Sequence, residues 1–183
     1  MNGSQKYIAL LRGINVGGKV LKMDRLRETL GGLGFSEIQT YIQSGNVVFQ
    51  ARQVSPEALA AKIAKAILRD FGFPVPVLVR TSRELSAVAK KNPFLKEKGI
   101  DSSRLHVTFL REKPSKPALQ KLETLPSKPD QYRVLDREIY LHCPNAYGKT
   151  KLSNNAFERL LSMEATTRNW KTVLTLLEMA LES

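Results

Sequence analysis

The order of the hydrophobic patterns between residues 7 and 80 constrains the fold more than any other feature of the sequence. Alternating apolar residues indicate strands, and apolar residues at three- and four-residue spacing indicate helices. Along this segment the patterns follow the order strand, helix, strand, strand, helix, strand. The βαββαβ order is typical of the ferredoxin-like arrangement, so the sequence predicts an α+β protein with a ferredoxin-like first half.

Local signals place the boundaries of these elements. A turn is predicted at Ser44-Gly45-Asn46, between two segments with strand-like alternation. Ser55-Pro56-Glu57 combines a capping side chain, a proline at the first helical position and an early acid, as at the start of a helix. Pro74 and Pro76 lack N–H donors, so the fourth strand is expected at an edge of the sheet.

The second half of the chain repeats part of this order. A helix is predicted to begin at a capping box, residues 81–84. A strand at 104–110, a short helix at 117–125 and a hairpin at 132–143 follow it. Two helices close the chain, one after residue 153 and one from about 168 to 181. This βαββα order is similar to that of the first half. We therefore predict a ferredoxin-like subdomain at 1–80 packed against a second α+β subdomain at 81–183.

Composition narrows the class of protein. With 183 residues, 42% of them hydrophobic, the chain has enough apolar material for a core. Its longest apolar stretches, 8–11 and 173–177, are far shorter than the roughly 20 residues of a membrane-spanning helix, and no signal-peptide pattern precedes the first. The single cysteine, Cys143, excludes an internal disulfide and fits a reducing compartment. These features predict a cytoplasmic protein with no membrane partner.

A surplus of basic residues gives the chain a net charge of +12, from 29 Lys and Arg against 17 Asp and Glu. The surplus is concentrated between residues 51 and 100, where ten basic side chains accompany four acids. Long-range attraction favours acidic partners such as nucleic acid or phosphorylated metabolites. Solubility alone would also explain this charge, so both interpretations stay open.

The run from Leu10 to Lys19 ends an apolar strand in a loop of glycine, asparagine and two cations. Gly17 and Gly18 permit positive φ and close approach, and successive backbone N–H groups can form a concave donor surface. Arg12 and Lys19 add positive charge at both ends. Arg12 follows a strand that is apolar on both faces, so its guanidinium needs either an internal carboxylate or a bound anion.

The ferredoxin-like topology is expected to bring two distant segments together. Its first and second strands run parallel with the third between them, so the end of the first strand and the turn between the second and third share one rim of the sheet. The candidate ligand-binding residues at this rim are Arg12, Asn15, Gly17, Gly18, Lys19, Ser44, Gly45 and Asn46. In the alternative interpretation, Arg12 pairs inside the protein and the other residues only form turns.

The segment from Thr166 to Trp170 supplies three further candidates, Arg168, Asn169 and Trp170, at the predicted start of the last helix. A threonine cap, exposed N–H donors and an adjacent arginine suit an anion there, with the tryptophan as an aromatic wall. The alternative is an ordinary helix cap with Trp170 packed inward.

Residue spacing excludes several common sites. The glycine loop matches neither a P-loop nor the dinucleotide pattern, and the RNA-recognition consensus is missing. His106 and His142 have no third ligand at metal spacing. We predict no cofactor and no metal, and the catalytic residues stay unknown, with Tyr140 and His142 on one strand face as candidate acid–base groups.

Four separated motifs stand out in the sequence: Arg12–Gly18, Ser44–Phe49, Asn92-Pro93-Phe94 and Thr167–Thr172. Together they resemble the bacterial family called domain of unknown function 1697. In this order they span nearly the whole chain. The resemblance implies an α+β protein with a ferredoxin-like component, and it implies no substrate, cofactor or catalytic residue.

Three functional hypotheses follow from the sequence. The first is a binding protein whose rim holds a phosphate-bearing small molecule or nucleic acid. The second is an enzyme that acts on a small anionic metabolite, and the third is a protein-interaction module that uses the edge strand at 74–80. The first hypothesis requires residues 13–19 and 44–46 to be neighbours.

Overall fold

The computed structural model describes residues 3–182. The described chain divides into two compact units. The first unit comprises residues 3–87 together with 175–182, and the second comprises residues 88–174. The first unit is therefore built from both ends of the chain, whereas the second is continuous.

The first unit is built on a four-stranded sheet. Its elements are β1 (Ser4–Leu11), α1 (Met23–Gly31), β2 (Ser36–Tyr41), β3 (Asn46–Arg52), α2 (Pro56–Phe71), β4 (Val77–Thr81) and most of α3 (Ser82–Lys90). The sheet order is β2-β3-β1-β4 with every neighbouring pair antiparallel, so β1 and β2 are parallel with β3 between them. This is the predicted ferredoxin-like topology, and β4 lies at the predicted edge of the sheet.

Capping side chains fix the helix starts that the sequence predicts. The Ala58 N–H donates a hydrogen bond to the Ser55 hydroxyl oxygen at 3.2 Å. At the start of α3 the Thr81 N–H donates to the Glu84 carboxylate at 2.8 Å, and the Glu84 N–H donates to the Thr81 hydroxyl at 3.1 Å. This reciprocal pair is the predicted capping box, which satisfies donors that a first helical turn leaves without intrahelical partners.

Side chains on both faces of the central strands are buried. Tyr7, Ala9 and Leu11 belong to the core that β1 forms with α1 and α2, and all three are 0% exposed. Ile8 and Leu10, on the opposite face of β1, are 0% and 1% exposed. RNA-recognition domains stack bases on an open sheet face, and the described central strands offer no such platform.

The second unit has the same topology as the first. Its elements are β5 (Leu105–Leu110), α4 (Lys116–Leu122), β6 (Gln131–Leu135), β7 (Glu138–His142), α5 (Asn154–Leu161), β8 (Ala165–Asn169) and the first turn of α6 (Trp170–Leu181), with short 3₁₀ turns at 93–96, 102–104 and 147–149. The sheet order β6-β7-β5-β8 corresponds strand for strand to that of the first unit. The fold is thus α+β in two halves of similar order, as predicted.

The sequence pattern does not reveal β8. This segment is polar and runs into α6 with no turn residue between them, so it resembles the first turn of the helix. In the structure it pairs antiparallel with β5, where Thr108 lies opposite Thr167 and their hydroxyl oxygens are 2.8 Å apart. The predicted βαββα order is one strand short, and β8 completes a second βαββαβ arrangement.

The core of the second unit lies between its sheet and helices α4 and α5. Leu110, Ile139, Leu141 and Phe157 belong to it and are 0% exposed. Cys143 is a free, buried thiol in the same core, and burial raises the pKa of Cys143 to about 11. A buried thiol with a raised pKa is a poor nucleophile.

The longest described helix is α2, with 16 residues. Within residues 3–182, no helix combines the length and the apolar composition that crossing a membrane requires.

Candidate functional site

The structure brings together the loop after β1 (residues 12–22) and the turn between β2 and β3 (residues 42–45), which together we call the glycine rim. The Leu11 N–H donates to the Gly45 carbonyl at 2.8 Å. Gly45 has φ +79°, and a Cβ at this position would lie 2.7 Å from the Leu11 Cβ and 2.8 Å from the Ile14 Cδ1. Only glycine allows the turn to approach the loop this closely.

Asn15 holds the loop in shape through its side chain. Its Oδ1 accepts a hydrogen bond from the Leu21 N–H at 2.9 Å, and its Nδ2 donates to the carbonyls of Leu21 at 3.3 Å and Gln43 at 2.6 Å. Its backbone adopts φ +55°, a left-handed conformation that asparagine tolerates better than most residues. The amide group serves the loop itself, so Asn15 positions the glycine rim.

Asn46 plays a similar part in the turn. It is 0% exposed, and its Nδ2 donates to the Tyr41 carbonyl at 3.1 Å and to the Ser44 hydroxyl oxygen at 3.0 Å. These bonds close the turn from the inside. The two asparagines predicted at the rim therefore shape it, while Gly17, Gly18 and Lys19 are exposed at its surface.

The middle of the loop presents backbone donors. Gly17 and Gly18 are exposed and have φ of +59° and +84°. Among the described residues, nothing accepts a hydrogen bond from the N–H groups of Val16, Gly17 or Gly18. Successive exposed amides in turn conformations are the donors that anion-binding loops use.

The glycine rim carries positive charge without acidic residues. Lys19 and Lys22 are exposed and form no ion pair with another residue in the described range. Arg12 is half-buried at the end of β1, and its backbone N–H donates to the Pro76 carbonyl at 3.0 Å. No aspartate or glutamate occurs in the two segments of the rim. The side chains of these two segments therefore carry positive charge only.

Three large apolar side chains are exposed in the glycine rim. Val16, Val20 and Ile42 are 62%, 65% and 52% exposed. Ile42 also adopts φ +49°, which is strained for a β-branched residue. Sequence analysis does not single these residues out, because valine and isoleucine are more often buried and no sequence signal distinguishes an exposed one.

The sequence model of a family described as "Protein of unknown function (DUF1697)" matches residues 4–140. The chain belongs to the DUF1697 family. The match contains both segments of the glycine rim and confirms the family that the motifs indicate. Comparison with curated proteins gave no match.

A solved structure similar to this DUF1697 chain is that of the conserved bacterial protein SP0830 from Streptococcus pneumoniae. The two sequences are 23% identical, and the comparison covers 97% of this chain and 99% of the other, with a TM-score of 0.77. At this identity the similarity shows the fold alone. It confirms the α+β architecture in two halves.

Arg168 of the DUF1697 chain lies in β8 of the second unit. Its guanidinium donates to the Thr166 hydroxyl oxygen at 2.7 Å and to the Thr167 carbonyl at 3.0 Å. Burial lowers the pKa of Arg168 to about 10. The prediction that the last helix begins at Arg168 is wrong, because pairing with β5 keeps this segment extended.

Asn169 caps helix α6 in place of the predicted threonine. Its Oδ1 accepts a hydrogen bond from the Thr172 N–H at 2.8 Å. Trp170, the first residue of the helix, is 4% exposed and is packed inward, as in the alternative interpretation. Neither a threonine cap nor an exposed tryptophan wall forms at this helix start.

The candidate acid–base groups on β7 are poorly suited to proton transfer. Tyr140 is 1% exposed and its hydroxyl donates to the Val88 carbonyl at 3.0 Å. Burial raises the pKa of Tyr140 well above its usual range, so the phenol stays neutral. His142 is half-buried, with its ring centroid 6.0 Å from that of Phe94. The enzyme hypothesis therefore lacks an accessible pair of groups here.

Proposed function

We propose that the glycine rim binds a phosphate-bearing ligand. The observation that carries the proposal is the run of exposed amides at Val16, Gly17 and Gly18, which have no acceptor among the described residues. Phosphate oxygens accept several hydrogen bonds at once, so a run of donors suits them. Lys19 follows this run directly and adds a charge-assisted contact.

The exposed apolar side chains favour an organic phosphate over the inorganic ion. Val16 and Ile42 belong to the same rim as the amides and offer contact surface to an apolar part of the ligand. A phosphorylated small molecule is therefore the main candidate.

Nucleic acid is the second candidate ligand. The net charge of +12 favours it, because basic surfaces attract the phosphate backbone at long range. Burial on both faces of β1 argues against base stacking on the sheet, so contact would be limited to phosphates.

Titration of the whole ¹⁵N-labelled chain with inorganic phosphate, followed by two-dimensional amide spectra, tests the proposal. We expect the Gly17 and Gly18 amide signals to move in a saturable manner. Replacement of Lys19 by alanine should weaken phosphate binding about fivefold, because it removes one charge-assisted contact at an exposed site. A nucleoside monophosphate should bind more tightly than phosphate through the apolar side chains.

Lys65→Ala is the matched control, because Lys65 is an exposed lysine on α2 outside the glycine rim. This variant loses the same charge and should bind phosphate like the unaltered protein. If the glycine signals do not move, or if Lys65→Ala weakens binding as much as Lys19→Ala, the proposal is wrong.

A single-stranded oligonucleotide distinguishes the two ligand classes. Binding through phosphates falls steeply as salt concentration rises, and the slope reports the number of phosphates neutralised. A steep slope that becomes shallower in Arg12→Ala and Lys19→Ala supports nucleic acid. Absent or salt-independent binding leaves the phosphorylated small molecule as the ligand class.

We also place this function in the cytoplasm. The chain has one cysteine and so forms no internal disulfide, which suits a reducing compartment. Phosphorylated metabolites and nucleic acids are both present there. Detection of the tagged protein in fractionated cells tests the assignment, and recovery from the extracytoplasmic fraction contradicts it.

A further inference from the structure

A cavity of about 480 Å³ opens in the first unit between the α1–β2 connection, the end of β3 and the first two turns of α2. None of its lining residues belongs to the glycine rim. We propose that this cavity binds a small organic anion in which a carboxylate is attached to an apolar body. The inference is independent of the phosphate site.

The floor of the cavity is apolar and rigid. Phe35, Ala51 and Leu59 form it and are 8%, 7% and 3% exposed. The Phe35 ring stacks on the Phe49 ring in the core, with centroids 4.6 Å apart. A ligand that covers this floor therefore meets side chains already fixed by packing.

One wall of the cavity is also held in place. Val54 lines it and is 46% exposed, which leaves a large apolar side chain open to solvent. The Tyr7 hydroxyl donates to the Val54 carbonyl at 2.7 Å and accepts from the Val54 N–H at 3.0 Å. These bonds fix the backbone of the wall, so the apolar surface is largely pre-formed.

Two cations accompany this apolar surface, and the lining contains no acidic residue. Lys62 lies over the floor, with its Nζ 5.3 Å from the centroid of the Phe35 ring and donating to the Leu33 carbonyl at 2.9 Å. The Arg52 guanidinium is exposed and forms no hydrogen bond or ion pair with another residue of the described chain. An anion bound here is paired without displacing an internal partner of Arg52.

The start of helix α2 adds to the attraction. Ala58 and Leu59 line the cavity and belong to the first turns of a helix of 16 residues. The amino-terminal end of a helix carries partial positive charge, which favours an anion. The helix end and the two cations therefore favour the same, negative sign of ligand charge.

The chemistry of the lining favours a carboxylate. The planar guanidinium of Arg52 can donate two parallel hydrogen bonds to a carboxylate, and the apolar floor accommodates a short hydrocarbon chain. A strongly hydrated phosphate gains nothing from the apolar surface. The cavity volume lies within the range of small-molecule sites.

Calorimetric titration of the whole chain with three probes tests the proposal. Octanoate carries both features, octylammonium has the same chain with the opposite charge, and butyrate has the charge with a shorter chain. We expect octanoate to bind about tenfold more tightly than either of the others, since both the charge and the buried chain contribute.

Two variants and their matched controls locate the site. Ala58→Trp fills the cavity from the exposed first turn of α2 and should abolish octanoate binding, whereas Ala61→Trp adds the same ring at an exposed position outside the lining and should not. Arg52→Gln should weaken binding about fivefold, whereas Lys65→Gln should leave it unchanged. Circular dichroism confirms that each variant is folded.

A free short-chain acid and the carboxyl end of a peptide share the proposed chemistry. A short peptide ending in leucine, with a free or an amidated terminus, separates these sources. If octanoate binds more tightly than the free-acid peptide, the ligand is a free acid, and the reverse order identifies the carboxyl end of a peptide. Either result supports the proposal. The proposal is overturned if neither binds, if octylammonium binds as well as octanoate, or if the two tryptophan variants bind octanoate equally.

Discussion

The two units end their first strands in the same way. In the first unit, the Leu11 N–H donates to the Gly45 carbonyl at 2.8 Å, and in the second, the Leu110 N–H donates to the Arg137 carbonyl at 2.9 Å. Each bond joins the end of the first strand to the turn before the third. The shared topology therefore creates the same junction twice.

An arginine follows this junction in both units, but its surroundings differ. The Arg12 N–H donates to the Pro76 carbonyl at 3.0 Å, and the Arg111 N–H donates to the Glu164 carbonyl at 3.1 Å. In the second unit, the Arg111 guanidinium also pairs with the Glu164 carboxylate at 2.6 Å. In the first unit Pro76 takes the place of Glu164, and the side chain of proline carries no charge.

The connecting loops differ as well. The first unit uses eleven residues, 12–22, and the second uses five, 111–115. The longer loop contains three glycines and the shorter one contains none. In the second unit Lys113 also lies 3.9 Å from the Asp136 carboxylate. One fold thus yields a basic loop with available amides in one unit and a loop balanced by ion pairs in the other.

The largest effect is expected from adding a methyl group where the turn contacts the loop. Gly45→Ala should lower the free energy of unfolding by about 3 kcal/mol, because it adds both left-handed strain and a clash with Leu11 and Ile14. Gly18→Ala is the matched control, since Gly18 has φ +84° but open space around it, and should lose only about 1 kcal/mol. Denaturant titration measures both. Equal losses would contradict the close approach.

A smaller effect is expected from removing the Asn15 side chain, which holds the loop after β1 in shape. Asn15→Gly keeps the backbone conformation accessible but removes the side-chain bonds to Leu21 and Gln43, so unfolding should become easier by about 2 kcal/mol. The Leu21 amide should also exchange faster with solvent. Ser162→Gly, at φ +53° in the second unit, tests the backbone effect alone and should be nearly neutral. Unchanged exchange at Leu21 would contradict the role of Asn15.

The Thr29 hydroxyl of α1 donates a hydrogen bond to the Asp70 carboxylate of α2 at 2.8 Å, and this clamp between the two helices should respond to acid. Hydrogen bonds from Arg69 and then from Thr29 lower the pKa of Asp70 from 3.8 to about 2. Because the folded pKa is depressed, this stabilisation is fully present above pH 3.8 and is lost as pH falls towards 2. The difference in unfolding free energy between the protein and Asp70→Asn should therefore shrink over that interval. A constant difference would argue against the clamp.

The smallest effect is expected from removing the two acids of the second unit that pair with Arg111 and Lys113. The double variant Asp136→Asn with Glu164→Gln breaks exposed ion pairs, so stability should change by no more than about 1 kcal/mol. The variant leaves a basic loop without glycines. We expect no phosphate-dependent movement of amide signals at 111–115, because charge alone does not supply the donor surface. Saturable movement there would show that charge suffices.

Much of the fold could be predicted because its determinants are local. Ser55 and the Thr81–Glu84 pair cap helices through bonds within three residues, and the hydrophobic periodicity marks most strands. The meeting of loop and turn at the glycine rim also follows from topology, since the order of the strands decides which strand ends share an edge.

The remainder depends on contacts between residues distant in sequence. Ala165–Asn169 pairs with β5 as a strand, but its sequence has no apolar alternation that would mark a strand by itself. The bond from Asn15 to Gln43 and the exposure of Ile42 have no local signal either. The cavity above Phe35 arises where three elements meet, so the sequence of no single segment predicts it.

The division of the chain has a consequence for biosynthesis. The first unit needs residues 175–182, and the Lys6 ammonium donates to the Glu182 carbonyl near the end of the described chain. On the ribosome the amino-terminal residues emerge first, yet the body to which they belong is complete only once residues 175–182 have been synthesised. Residues 88–174 are available as a continuous stretch before that point. Residues 88–174 can therefore fold before the first unit, whose glycine rim belongs to a body that also includes residues 175–182.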